Sequence, residues 1–234
     1  MKLNNKRTIL VGLAFLSICA FWQMYDSIVP LILTKTFHMN ETFSGAIMAA
    51  DNILALFLLP FFGSVSDKSH SKLGKRMPFI LFGTGCAIIL MNILPLLDNS
   101  YAAQPSGFKT ASFVIVLGLL LVAMGTYRAP AVALMPDVTP KPLRSRANAI
   151  INLMGAVGGI LYLGVAAVLY PNSKTAGLDH VNYQPLFIVV SAIMFVAVAV
   201  LFLTIREPKL TAENQALEKQ HPEWNLAQDD GSGH

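Results

Sequence analysis

Three charged side chains stand inside long apolar runs: Asp26, Asp51 and Arg128. A charge at the centre of a membrane helix costs about 2.5–3.5 kcal/mol on insertion scales, so each must face protein or water, and such residues mark routes for ions or polar solutes. A carboxyl group at that depth can take a proton from one side of a membrane and release it on the other, which makes Asp26 and Asp51 the candidates for proton coupling. The guanidinium of Arg128 presents five donors in a rigid fork, suited to vicinal hydroxyls or to a carboxylate. Trp22, Gln23, Tyr25, Asn52, Tyr127, Asn148 and Asn152 accompany these charges. Aromatic faces stack on the apolar face of a pyranose and amides satisfy hydroxyls, so the set suits a neutral polar solute such as a sugar. Each residue also has a plainer reading. Either Asp could hydrogen-bond a neighbouring helix, Arg128 could snorkel to an interface, and Trp and Tyr could be interfacial anchors.

The elements that must hold these residues are membrane spans. The 234 residues are 54% apolar and 13% charged, with a mean hydropathy of +0.57. That charge fraction is about half of what a soluble domain carries. Six stretches, about 8–33, 43–66, 77–97, 112–136, 146–170 and 184–205, reach the roughly 20 residues a bilayer crossing needs. The first follows Lys2, Lys6 and Arg7 but is too long for a secretory signal, so it reads as a retained helix. At 1.5 Å per residue Asp26 and Asp51 fall within roughly 10 Å of the bilayer centre on one side, where they could share a cavity, and Arg128 roughly 6–8 Å to the other side. Pro130 bends its helix. Gly155, Gly158 and Gly159, with Gly164 further on, give a Gly-x-x-x-Gly face for close helix packing.

Lys and Arg concentrate in alternate loops. One side receives Lys2, Lys6, Arg7, Lys68, Lys72, Lys75, Arg76, Lys141, Arg144, Arg146, Arg206, Lys209 and Lys219; the other receives Lys35, Lys109 and Lys174. The basic side is expected inside, which puts both termini in the cytoplasm. Residues 1–206 hold 15 Lys and Arg against 7 Asp and Glu, and 207–234 hold 2 against 6. The basic balance therefore belongs to membrane loops, and nucleic acid is not implied. The outer loops, about 34–42, 98–111 and 171–183, are short and polar, and Asn40-Glu41-Thr42 matches a glycosylation sequon. The segment 207–234 reads as a polar acidic cytoplasmic linker with a short helix over 211–220. Cys19 and Cys86 lie in separate runs and read as packed thiols. The five histidines lie in loops or tail, and no nucleophile or metal-ligand spacing points to an enzyme or a cofactor.

Two polar signatures stand where runs end. One is Gly63-Ser-Val-Ser-Asp67-Lys68 continuing to Gly74-Lys75-Arg76-Met77-Pro78. The other is Tyr127-Arg128-Ala129-Pro130 continuing to Pro136-Asp137, with Arg144, Arg146 and Asn148 beyond. Gly63, Asp67, Lys68, Gly74, Lys75 and Arg76 resemble the loop motif of the major facilitator superfamily. The longer spacing after Lys68, together with the second signature, resembles the branch of sucrose transporters and glycoside–pentoside–hexuronide cation symporters. The resemblance covers residues 8–206. It implies an all-α membrane protein, six transmembrane helices in a 3+3 repeat, forming the amino-terminal half of such a fold in the plasma (cytoplasmic) membrane. It further implies alternating access, with a solute site near midplane between two six-helix halves. A carboxy-terminal half would have to be supplied in cis or in trans. The acids that bind sodium in melibiose-type permeases would fall near Ala55 to Leu59, none of which is acidic, so the expected coupling ion is the proton. Asp67, Asp137, Arg144 and Arg146, with the rest of the first signature, are expected to latch the cytoplasmic mouth. The resulting expectation is proton-coupled import of a sugar or glycoside. A non-transporting membrane subunit or sensor, or an inactive fragment, is the alternative.

Overall fold

The computed structural model describes residues 3–175, 177–178 and 180–226. Among the described residues nine α-helices run in order: α1 Asn5–Leu31, α2 Glu41–Asp67, α3 Met77–Ala103, α4 Gly107–Val138, α5 Arg144–Leu169, α6 Asn172–Thr175, α7 Gln184–Thr204, α8 Glu207–Gln220 and α9 Glu223–Leu226. Among the described residues six helical segments are long and apolar enough to cross a membrane, carried by α1 to α5 and α7. They run alternately up and down, so Asp67, Arg76, Asp137 and Glu207 gather at one end, called here the basic end.

Side chains start these helices where backbone donors lack partners. The Asn4 carboxamide oxygen accepts the Arg7 N–H at 3.1 Å, and that of Asn40 accepts the Thr42 N–H at 3.0 Å, each satisfying an orphan amide of a first turn. The asparagine of the sequon thus caps α2. Pro30 sits inside α1. Beyond it the chain winds into a π-helical turn over Ile32–Thr36, a local widening of the helical ladder.

α1 is the hub. It packs most heavily on α5 and next on α7, while α3 packs on α4 and α7, and α2 leans on α4. The core is continuous through Phe21, Tyr25, Ile80, Met91, Met124 and Phe187. The α1–α5 contact is close because glycines permit it. A Cβ at Gly158 would run into the main chain of Leu16, and one at Gly155 would come 2.9 Å from Cys19 Sγ. Within the expected glycine face Gly155 and Gly158 make the close contact, while Gly159 meets only the Gln23 side chain at 3.8 Å. α2 is the opposite case. Only Ser44 and Ser66 are buried along it, and Leu56, Phe57 and Phe61 stand exposed. A helix apolar on its open face belongs against lipid or another protein.

Two boundaries differ from expectation. The polar run Asp98-Asn99-Ser100 does not end α3, which continues to Ala103. Asp98 is fully buried, and the amino group of Lys109 caps the helix end by donating to the carbonyls of Ser100 at 2.8 Å and Gln104 at 2.9 Å. The segment after residue 206 begins as a docked helix. α8 starts at Glu207, whose side chain is buried, and Asn214 is buried with its amide donating to the Asp137 carbonyl at 3.2 Å.

Candidate functional site

Midway along the bundle, Trp22 of α1, Asp51 of α2 and Arg128 of α4 line one narrow cleft of about 20 Å3, with Leu54, Leu58, Leu121 and Gly125 completing most of its wall. The Arg128 guanidinium lies over the Trp22 ring, 5.6 Å from its centroid, within cation–π range. Trp22 in turn meets Tyr25 edge-on at 5.3 Å. Trp22 Nε1, Asp51 Oδ1 and the Tyr25 hydroxyl are buried with no hydrogen-bond partner among the described residues. Buried polar atoms normally find partners. Trp22 and Asp51 thus bring one donor and one carboxylate oxygen without a partner to the cleft, while Tyr25 does not line it.

The other residues expected here are distributed differently. Gln23 and Asp26 are exposed on α1, Asn52 on α2, and Asn148 and Asn152 lie one turn apart on the open side of α5. Asp26 is within electrostatic reach of Asp51 but does not line the cleft. Tyr127 requires a correction. It is fully buried between α1 and α4, its hydroxyl donates to the Ala14 carbonyl at 3.0 Å and pairs with Ser17, and the main chain packs on Gly83. Its bonding capacity is spent on helix packing, so it does not face the cleft.

The basic end carries a second constellation, built on Arg76. Its guanidinium pairs with Asp67, with Asp137 Oδ2 at 2.8 Å, with Ser66 Oγ at 2.5 Å and with the Gly63 carbonyl at 3.3 Å. α2, α3 and α4 are thereby tied by one planar fork. Burial opposes the Arg76 cation, but the hydrogen bond and charge of Asp137, joined by those of Asp67, outweigh it and push the pKa up. Of the residues expected to latch this mouth, Asp137 pairs with Arg76 and Arg144 turns elsewhere. Arg144 donates instead to Glu218 Oε1 at 3.0 Å and to the carbonyls of Pro136 and Thr139, while Arg146 is exposed. Lys68 and Lys75 point their side chains to the exterior.

Sequence reasoning missed Glu207. Its buried carboxylate accepts the backbone N–H groups of Lys75 at 2.7 Å, Arg76 at 2.9 Å and Met77 at 2.8 Å, closing the amino terminus of α3. Free amides and the helix dipole favour an anion at that place. Gly74 makes room for it, with φ +113° and a Cβ position that falls on the Glu207 carboxylate. A Glu-Pro pair directly after an apolar run was the available signal, and it reads equally well as a polar exit. Gly74→Ala is expected to combine about 1–3 kcal/mol of backbone strain with displacement of that carboxylate. A thermal unfolding assay in detergent reads the loss, and an unchanged melting temperature would refute it.

Comparison with known proteins agrees with this architecture. The family model described as Major Facilitator Superfamily matches residues 11–227. The chain is similar to the sucrose transport protein SUC3 of Arabidopsis thaliana, 35% identical over 158 residues, covering 62% of this chain and 26% of the relative. It is similar to the sucrose transport protein SUT3 of Oryza sativa subsp. indica, 36% identical over 154 residues, covering 60% and 30%. It also resembles solute carrier family 45 member 3 of Homo sapiens, 25% identical over 186 residues, covering 78% and 34%. The chain thus spans between a quarter and a third of the length of these relatives.

Proposed function

We propose that this chain, which belongs to the Major Facilitator Superfamily, is the first of two six-helix halves of a proton-coupled importer of a sugar or glycoside. It is a sucrose-transporter-like, multi-pass membrane protein. In the proposed arrangement both termini lie in the cytoplasm, because the basic loops share one end of the bundle. The second half, in cis or in trans, covers the open faces of α2 and α5, and the two halves rock about a midplane site.

One observation carries the reading. Asp51, Arg128 and Trp22 converge on one cleft with open hydrogen-bonding atoms, deep within helices that are otherwise apolar. Arg128 would hold solute hydroxyls over the Trp22 ring, and Asp51 beside them would alternate between charged and neutral as solute and proton load and leave. The Arg76 node would close the inner mouth in the outward-open state, because its ion pairs draw three helix ends together.

The test joins this chain to a second six-helix half from a sucrose transport protein and reconstitutes the pair in liposomes. Labelled sucrose or an aryl glycoside should accumulate when the outside is acid. Asp51→Asn should abolish accumulation while sparing exchange, and Arg128→Ala should weaken binding about tenfold, the loss of roughly 1.4 kcal/mol that a charge-assisted hydrogen bond supplies. Accumulation that ignores both the proton gradient and Asp51→Asn would overturn proton coupling. A correctly folded pair that neither binds nor moves any sugar would overturn the substrate class.

A further inference from the structure

A different polar cluster lies at the end opposite the basic loops, far from the cleft. Asp98, near the end of α3, is fully buried, and neither carboxylate oxygen has a hydrogen-bond partner among the described residues. A bare carboxylate so placed is costly. The group facing it is His180, whose Nδ1 lies 3.9 Å from Asp98 Oδ1 and 3.1 Å from Thr36 Oγ1.

The hydrogen bonds around His180 fix where its hydrogens sit. The backbone N–H of Gln184 can only donate, and it points at Asn182 Oδ1 at 2.9 Å. That oxygen also takes a hydrogen from Asn99 Nδ2 at 2.9 Å, which turns Asn99 Oδ1 toward His180 Nε2 at 2.9 Å. Nε2 therefore carries a hydrogen in either charge state. A neutral His180 would then present the lone pair of Nδ1 toward Thr36 and toward an ionised Asp98. Thr36 has a single hydroxyl hydrogen and cannot serve both the lone pair of Nδ1 and the buried carboxylate. One added proton, shared between Nδ1 and the carboxyl group, removes the conflict.

We propose that Asp98 and His180 form a proton-binding site that holds one shared proton near neutral pH. The other groups around it do not supply that charge. Thr36 at the end of the first span offers a hydroxyl, and Tyr183 before α7 faces Asp98 and has Tyr170 and Tyr162 beside it. Among the described residues no Lys or Arg side chain pairs with Asp98. The pair also fastens helices. His180 and Asn182, just ahead of α7, tie the ends of the first span and α3 to the start of α7, and Tyr170 after α5 donates to the Asn182 carbonyl at 2.8 Å. Loss of the proton leaves the carboxylate uncompensated, so this end of the bundle loosens as pH rises. The site stands independently of the transport reading, since its residues do not line the cleft.

The experiment uses the intact chain in nanodiscs, with 15N-labelled histidine read by NMR and protonated carboxyl groups read by infrared spectroscopy. At neutral pH Asp98→Asn should reduce the fraction of chains carrying an imidazolium at His180 at least fivefold. His180→Gln should enlarge the protonated-carboxyl band that Asp98→Asn removes. Either variant suffices if the other fails to fold, because coupling between two sites is reciprocal. An imidazolium fraction indifferent to Asp98, a carboxyl band indifferent to His180, or a wild-type pair found with no proton at neutral pH overturns the proposal.

Discussion

Replacing Arg76 with methionine is expected to be among the most damaging single changes outside the apolar core. The Arg76 side chain is 7% exposed and its guanidinium serves two carboxylates, a serine and a carbonyl at once. Breaking a buried ion pair by removing one partner costs about 3–5 kcal/mol, because the other charge is left buried. Here the side chain of Asp67 is 60% exposed and that of Asp137 is 29% exposed, so water recovers part of the loss. The expected cost is therefore about 2–3 kcal/mol, below the range for fully enclosed pairs. Unfolding in detergent reads it directly. Combining Arg76→Met with Asp137→Asn should cost less than the sum of the two alone, since they share one interaction. Strict additivity, or a wild-type melting temperature for Arg76→Met, would show that the node contributes little.

Gly158→Leu should prevent a compact bundle from forming. Any side chain there begins inside the space of the Leu16 main chain, and a backbone cannot turn aside as a flexible side chain can. α1 and α5 would have to part, which opens the contact on which α1 acts as hub. Overpacking typically costs about 1–3 kcal/mol when neighbours can adjust, and this site offers no such adjustment. Gly164 on the same helix is the control, because nothing lies within 4 Å of its Cβ position. Gly164→Leu should keep a monodisperse size-exclusion profile and Gly158→Leu should lose it. Equal profiles would refute the close-packing account.

Much of this was legible in the residues because lipid imposes a simple rule on sequence. Backbone groups in hydrocarbon must bond internally, so apolar length alone marks the helices. The convergence of Trp22, Asp51 and Arg128 was approachable for the same reason, as charges at depth are few. What stayed hidden depended on partners distant in the chain. Asp98 looked like the start of a turn, and its burial under residue 180 carries no local signature. Glu207 looked like the first residue of a solvated tail, and only folding brings it to amides 130 to 132 positions earlier. Tyr127 sat beside Arg128 in sequence, yet adjacent helical residues point about 100° apart, so one reaches the cleft while its neighbour locks two helices.

The seat of Glu207 also bears on how the chain matures as it is made. The entrance of α3 is synthesised early, but the carboxylate that quiets its amides arrives only after the sixth span has been translated. Until residue 207 clears the ribosome, that helix start remains exposed to water, lipid phosphate or a chaperone. Released chains ending at 206 should therefore be more open to protease in the loop before α3 than released chains that carry α8 through residue 220.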